Sequence, residues 1–232
     1  MVRKPPIYQR RPLAIVAFAG VLHLLLLCAP IAFLDGGFHN AKNPRIVVFL
    51  SIVGAWHFVE GMASAASARL PLKSLGPQRL PLAIGLFLLI TFWVSLTDTA
   101  SSVSAPFGAG AVAAAVLMMA GIALRYLSLR TLGAFFLNEV AVLPGQPLVT
   151  RGIYARLRHP SETGTICLAF GGAFVLGSAI GLATATLLLL PCLIWRTRLE
   201  DRMLRNHYVT EFGRYAQEVP AFLPTIRLPK LL

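Results

Sequence analysis

Arg158 and His159 stand directly before Pro160, in the densest polar stretch of an otherwise apolar chain. Proline has no backbone N–H and suits the first turn of a helix, so the pattern predicts a helix that begins near Pro160. Cationic side chains beside the free N–H groups of a helix start favour an anionic ligand. The same charges are also typical of a cytoplasmic loop beside a membrane helix, so charge alone does not decide between the two.

A second polar block contains Arg196, Glu200, Asp201 and Arg205. If the block is helical, Arg196 and Glu200 share one face, as do Asp201 and Arg205, because each pair is four residues apart. Such an array is typical of a solvated, salt-bridged helix end. Next to the first block it would instead suit a zwitterion, with Arg or His holding a carboxylate and Glu200 an ammonium group.

Several kinds of chemistry have no motif in this chain. We find no phosphate-binding glycine loop, no dinucleotide fingerprint, and neither HExxH nor CxxC. Cys28, Cys167 and Cys192 lie within apolar runs, which indicates buried thiols rather than a disulfide framework or a zinc site. Metal and covalent catalysis are therefore disfavoured, which leaves the binding of a charged cofactor next to an acceptor.

The composition indicates an integral membrane protein. Of 232 residues, 56% are hydrophobic and 13% are charged, and the mean hydropathy is +0.72. Several apolar runs reach about 20 residues, the length that crosses a bilayer. The net charge of +12 is concentrated beside these runs and is not interleaved with aromatic residues, so nucleic-acid binding is not expected.

The hydropathy pattern predicts a polytopic, all-α membrane helix bundle of about six transmembrane helices. The last two form a C-terminal helical hairpin around Gly177-Ser178, and Pro191 is expected to kink its second arm. The predicted spans cover approximately 12–34, 45–66, 80–97, 108–127, 162–177 and 179–195. The Ala- and Gly-rich fourth span should allow close helix approach.

With both termini in the cytoplasm, all but Lys42 and Arg45 of the 21 Lys and Arg residues fall on the cytoplasmic side. This topology brings residues 128–159 and the charged tail to one face, where a cytoplasmic cofactor pocket can form. His57 and Glu60 lie inside the second span and share a helix face at i and i+3. They either line an acceptor cavity or form a satisfied pair within the bundle.

The two polar blocks resemble the isoprenylcysteine carboxyl methyltransferase family and the related phospholipid methyltransferases. One element is Gly152-Ile-Tyr154 followed by Arg158-His159-Pro160; the other is Arg196-x-x-x-Glu200-Asp201. The resemblance covers about 120–224. It implies S-adenosylmethionine as cofactor and methyl donor, and a lipophilic or lipid-modified acceptor that enters from the membrane.

The resemblance also implies roles for individual residues. The implied cofactor-binding residues are Gly152, Tyr154, Arg158, His159, Pro160 and Glu200, and the implied catalytic residues are Arg196 and Glu200. Glu162 departs from the family pattern, in which tyrosine is usual at that position. We assign it with His57 and Glu60 to the acceptor side, because a carboxylate there would suit an amine acceptor.

We therefore divide the chain into N-terminal membrane helices (1–119), on the acceptor side, and a methyltransferase-like core (120–232). The predicted function is methyl transfer to an isoprenylcysteine-like carboxylate or a lipid headgroup amine. The location would be the inner or plasma membrane if the source is prokaryotic. The alternatives are an NADPH-dependent membrane reductase of the sterol-reductase type and a non-catalytic transporter or scaffold. Against transport, no inverted repeat is visible and the ionisable residues gather at one membrane face.

Overall fold

The computed structural model describes residues 43–67, 79–101, 107–143 and 145–222, together with Val21 and Leu25. The described elements are helical and contain no strand, as the hydropathy pattern predicts. The helices are α1 (Pro44–Ser67), α2 (Leu80–Ser101), α3 (Ala109–Leu132), α4 (Pro160–Leu176), α5 (Ala179–His207) and α6 (Val209–Glu218), with 3-10 turns at Gly133–Phe135 and Gly152–Ala155.

Four of the described helices, α1, α2, α3 and α5, are long and apolar enough to cross a membrane. They correspond to the predicted second, third, fourth and sixth spans. Helix α4 has 17 residues, which gives it a rise of about 25 Å, somewhat less than the hydrocarbon core of a bilayer. The predicted first span, 12–34, lies outside the described residues apart from Val21 and Leu25.

Helices α3 and α4 approach each other through glycine. A Cβ added at Gly121 would lie 2.5 Å from the carbonyl oxygen of Gly164, and one added at Gly164 would lie 2.5 Å from that of Gly121. Further along, a Cβ at Gly171 would meet the carbonyl oxygen of Ala114 at 2.9 Å. The expected close approach of the fourth span is confirmed, and it places the start of α4 directly beside α3.

Large apolar side chains fill the interior between α1, α2 and α4. The rings of Phe49 and Phe92 meet edge to face with their centroids 5.0 Å apart, and a Cβ at Gly172 would lie 2.9 Å from the Phe49 ring. Both phenylalanines are buried, as are Met118 and Leu168. This packing fixes the rotation of each helix and so decides which polar side chains face one another.

The predicted turn between the last two spans is confirmed. Gly177 adopts a left-handed conformation (φ 71°), and Ser178 caps α5 by accepting the N–H of Gly181 at 2.9 Å. The Ser178 hydroxyl also donates to Asp98 of α2 at 2.6 Å. Before Pro191, helix α5 contains a π-helical segment, Ala185–Leu189, a local change that is common where the regular bonding pattern is interrupted.

The contact between Gly121 and Gly164 generates a prediction about stability. Gly121→Ala forces a methyl group against a backbone oxygen, so we expect it to destabilise the protein by about 1–3 kcal/mol. Gly54→Ala is the matched control, because nothing lies within 4 Å of a Cβ at that helical position. Thermal unfolding of the detergent-solubilised chain measures both. Equal melting temperatures for the two variants would contradict the assigned packing.

Candidate functional site

A cleft lies at one end of the bundle, between the segment that joins α3 to α4 and helices α5 and α6. Gly133 (φ 55°) ends α3, and Gly152 (φ 61°) begins the second 3-10 turn, where a Cβ would lie 3.2 Å from Thr131. Both backbone conformations favour glycine, and they turn the segment back over the helix ends. The cleft is lined by Leu132, Phe135, Leu137, Glu139, Ala141, Gln146, Pro147, Leu148, Val149, Tyr154, Arg158, His159, Glu200, Asp201, Met203, Leu204, Tyr208, Phe212 and Tyr215.

Asp201 is the centre of the charged side of this cleft. Its Oδ2 accepts from Arg158 Nη1 at 2.5 Å, and its Oδ1 lies 2.8 Å from His159 Nε2. The other ring nitrogen of His159 lies 3.9 Å from Glu200 Oε2. We call these four residues, Arg158, His159, Glu200 and Asp201, the ionic wall. The sequence placed Asp201 only on the helix face that also carries Arg205, whereas the fold makes it the link between the two polar blocks.

The environment of His159 favours its charged form. Burial of the ring lowers the pKa of His159, but the hydrogen bond to Asp201 and the nearby carboxylates of Glu200 and Glu162 outweigh it, so the pKa is raised. An imidazolium can donate to Asp201 from Nε2 while Nδ1 faces Glu200. The residue therefore acts as a positive link between two acidic side chains.

The last described residues close over the start of α4. The backbone N–H groups of Arg158 and His159 donate to the carbonyls of Pro220 and Ala221, at 2.9 and 3.1 Å. Arg158 Nε donates to the carbonyl of Val219 at 2.9 Å. The tail therefore satisfies the backbone N–H groups of residues 158 and 159, which precede the helix. The expectation of free N–H groups within the first turn of α4 stays a prediction.

A second set of charges lies outside the cleft lining. Arg196 Nε donates to Glu162 Oε1 at 3.1 Å, and Arg196 Nη1 donates to the carbonyl of Asn138 at 2.7 Å. Arg196 and Glu162 are both buried. The i, i+4 pairings considered from the sequence, Arg196 with Glu200 and Asp201 with Arg205, are not among the ion pairs of the described residues. Arg196 instead pairs with Glu162 of α4, and Asp201 pairs with two residues of the segment that precedes α4.

Arg125 of α3, which the sequence reasoning did not assign to the site, joins four parts of the fold. Its Nε and Nη2 bind the carboxylate of Glu60 in α1 at 2.6 and 2.9 Å, and Nη2 also donates to Asn138 Oδ1 at 2.9 Å. Nη1 donates to Ser161 at the start of α4. The guanidinium lies over the ring of Phe136, 5.0 Å from its centroid. Glu60 is thus satisfied within the bundle, through Arg125.

Only some of the residues that we assigned to the site from the sequence line the cleft. Tyr154, Arg158, His159 and Glu200 line the cleft, whereas Gly152, Pro160, Arg196, Glu162, His57 and Glu60 do not. Gly152 shapes the turn against Thr131, and Pro160 begins α4, as predicted. His57 Nδ1 lies 2.7 Å from the carbonyl oxygen of Val53. No cluster that could hold a metal ion occurs in the described part of the chain.

Apart from Glu139 and Gln146, the remainder of the cleft lining is apolar or aromatic. Leu148, Leu204 and Tyr208 pack against a small buried cluster formed by Phe212, Tyr215 and Val219. The Tyr215 hydroxyl donates to the carbonyl of Tyr154 at 2.7 Å. Burial, followed by the nearby Glu162, raises the pKa of Tyr154 well above its usual value, so its phenol stays neutral. A charged wall beside an apolar wall suits a ligand with a charged head and an apolar or aromatic body.

The raised pKa of His159 predicts a dependence of stability on pH. Because the pKa of His159 is higher in the folded state than in the unfolded state, the charged ring stabilises the fold. This stabilisation is fully present below the unfolded-state pKa, about 6.5, and is lost as the pH rises through the folded-state pKa. Between pH 6 and pH 9 the melting temperature should therefore fall more for the parent than for His159→Gln, which cannot titrate. Melting curves in detergent test this, and parallel curves would contradict a charged His159.

Comparisons with known proteins bear on the segment that carries these contacts. Residues 113–206 match the sequence model of the isoprenylcysteine carboxyl methyltransferase family. This range includes α4, nearly all of α5 and the whole ionic wall. It also includes Arg125, Glu162 and Arg196.

Curated relatives match a similar region. A probable protein-S-isoprenylcysteine O-methyltransferase of Oryza sativa subsp. indica is 29% identical over 113 residues, 48% of this chain and 59% of the relative. The protein-S-isoprenylcysteine O-methyltransferase of Schizosaccharomyces pombe is 33% identical over 79 residues, 34% of either chain. Protein-S-isoprenylcysteine O-methyltransferase B of Arabidopsis thaliana is 28% identical over 117 residues, 47% of this chain and 57% of the relative.

These alignments span between a third and 59% of the length of the curated relatives. The matched region coincides with the part in which the two polar blocks meet. The expected resemblance is therefore confirmed, and the chain is related, through residues 113–206, to the isoprenylcysteine carboxyl methyltransferase family.

Proposed function

We propose that this protein is an integral membrane methyltransferase that uses S-adenosylmethionine and acts on a lipophilic acceptor. The observation that carries the proposal is the ionic wall beside an apolar cleft at the end of a membrane helix bundle. The family match covers the residues that form this wall. The distribution of Lys and Arg supports our proposal that both termini lie in the cytoplasm, and a prokaryotic source would imply the inner or plasma membrane.

The residues of the cleft fit a zwitterionic donor with an aromatic body. Glu200 offers a carboxylate to the ammonium group of the methionine part, and Arg158 and His159 offer positive charge to its carboxylate. Asp201 holds both of these cationic side chains in place. Leu148, Val149 and Leu204 supply an apolar surface for the adenine ring.

When bound, the cofactor supplies a methyl group on a positively charged sulfur. The protein's contribution is then orientation and the exclusion of water rather than proton transfer, when the acceptor is already ionised. The tail residues 219–222 cover the start of α4. This cover limits the access of water to Arg158 and His159 and so strengthens their electrostatic interactions.

We propose that Arg196 lies beside the reacting groups and orients the acceptor. Glu162 and Asn138 engage two of its nitrogens, Nε and Nη1, which fixes the guanidinium in one orientation. The remaining nitrogen, Nη2, is available to orient an acceptor carboxylate. Glu162 lowers the effective charge of Arg196, so we expect Glu162 to tune the preference between a carboxylate and an amine acceptor.

The names of the curated relatives indicate only the chemical class of the acceptor. The curated relatives are named for O-methylation of protein S-isoprenylcysteine. We propose an acceptor of that kind, with a carboxylate beside a long apolar group, and retain a lipid headgroup amine as the alternative that Glu162 suggests. The acceptor side would be formed by the membrane helices, where α1 contributes His57, whereas Glu60 is engaged by Arg125.

Calorimetric titration of S-adenosylhomocysteine into the detergent-purified full chain tests the cofactor site. Each of His159→Ala and Glu200→Gln should weaken binding by about 10- to 100-fold, because a hydrogen bond to a charged group contributes roughly 1.5–3 kcal/mol. Arg214→Gln is the control, since Arg214 is exposed and outside the cleft. Normal binding by both site variants would refute the assignment, and binding of NADPH instead would favour a reductase.

Methylation assays with two acceptors test the role of Glu162. We expect Glu162→Gln to raise the ratio of activity on an S-prenylcysteine carboxylate to activity on phosphatidylethanolamine by about 10-fold. Without the charge of Glu162, the interaction of Arg196 with the acceptor carboxylate should strengthen by about 1.4 kcal/mol, the equivalent of one pKa unit. Glu211→Gln is the control, an exposed acid on α6. An unchanged acceptor ratio in Glu162→Gln would exclude Glu162 as a determinant of acceptor class.

A further inference from the structure

The outward face of α5 changes in character along its length. Leu187, Pro191 and Trp195 are exposed and apolar or aromatic. The same face continues with Arg198, Arg202 and Arg205, because steps of three and four residues stay on one side of a helix. We call Arg198, Arg202 and Arg205 the arginine stripe. It lies outside the proposed cleft.

The arginine stripe carries positive charge without internal compensation. All three side chains are exposed, and none forms an ion pair with a carboxylate in the described part of the chain. Arg205 lies over the ring of Phe212, 6.0 Å from its centroid. By contrast, the less exposed Arg125, Arg158 and Arg196 each bind an acidic side chain. The guanidinium groups of the stripe therefore face the surroundings of the helix bundle.

The neighbouring residues indicate what lies outside. Leu187 is 71% exposed and Trp195 is 50% exposed on a helix apolar enough to cross a membrane. Tryptophan prefers the boundary between hydrocarbon and headgroups. At 1.5 Å per residue, Arg198 and Arg202 lie about 5 and 10 Å beyond Trp195. The headgroup layer is about 5–8 Å thick, so both side chains can reach the phosphate groups.

We propose that the arginine stripe binds the phosphate groups of anionic phospholipids. The planar guanidinium matches a phosphate with two parallel hydrogen bonds, and the acidic residues of this part of α5, Glu200 and Asp201, face the cleft instead. Lipid binding fixes the depth and rotation of this end of α5. Because the inward face of the same turns carries Arg196 and Glu200, bound lipid also holds the ionic wall in position.

Native mass spectrometry of the full chain in nonionic detergent tests the proposal by titration with phosphatidylglycerol or phosphatidylcholine. The parent should retain phosphatidylglycerol more tightly. Arg198→Gln/Arg202→Gln should weaken that binding by about 30-fold, since each basic residue near an anionic membrane surface contributes roughly fivefold. Arg151→Gln/Arg156→Gln is the matched control, because it removes the same charge from exposed positions off the stripe and should change binding less than about twofold.

Two further measurements distinguish lipid binding by the stripe from a folding defect and from the binding of any phosphate. Arg198→Lys/Arg202→Lys keeps the charge but loses the paired guanidinium hydrogen bonds, so it should retain only part of the phosphatidylglycerol preference. It tests the stripe even if the glutamine variant fails to fold. Glycerol 1-phosphate, a soluble phosphate, should not displace the lipid at equal concentration. The proposal is overturned if the glutamine and control variants lose the same affinity, if the lysine variant shows no lipid preference, or if glycerol 1-phosphate competes equally.

Discussion

The structure depends on one electrostatic constraint: in a low-dielectric interior, an arginine that is buried between membrane helices needs an acidic partner. Arg125 is the main case, since it binds both carboxylate oxygens of Glu60 and thereby ties α3 to α1. Removing one partner of such a pair leaves a buried charge and typically costs about 3–5 kcal/mol. The pair is therefore a constraint on helix packing, and the glycine contact between α3 and α4 places Ser161 within its reach.

Asn138 extends this constraint to the cleft. Its side-chain oxygen accepts from Arg125, and its backbone oxygen accepts from Arg196. The segment that follows Asn138 forms much of the apolar wall of the cleft, including Leu148 and Val149. The position of a surface loop is thus held from inside the bundle by two arginines on different helices. A wall that is anchored in this way can hold a ligand with little loss of order on binding.

Helix α5 serves two environments with one stretch of sequence. Its inward residues Arg196, Glu200 and Asp201 find partners on α4 and in the preceding loop. Its outward arginines meet the surroundings of the protein. The helical period places Arg196 and Glu200 roughly half a turn from the outward arginines, with Asp201 at the edge between the two sets. A block with alternating charges therefore forms a site on one side and a surface on the other.

Much of the architecture could be predicted from the sequence, because hydropathy and turn residues act locally. The spans now seen as α1, α2, α3 and α5, the turn at Gly177-Ser178 and the helix start at Pro160 all follow from such patterns. The meeting of the two polar blocks at one end of the bundle followed from the distribution of Lys and Arg. The nominated cleft residues Tyr154, Arg158, His159 and Glu200 came from motif resemblance, and they do lie together.

The pairing of charges was decided by tertiary structure alone. Sequence spacing suggested Asp201 with Arg205 and Arg196 with Glu200, but Asp201 binds Arg158 and His159, and Arg196 binds Glu162. Glu60 binds Arg125, which lies 65 residues away in the chain. Spacing along one helix shows only which side chains share a face. Which face meets which neighbour depends on how the helices rotate and how closely they approach, and glycine contacts and core packing between distant segments decide both.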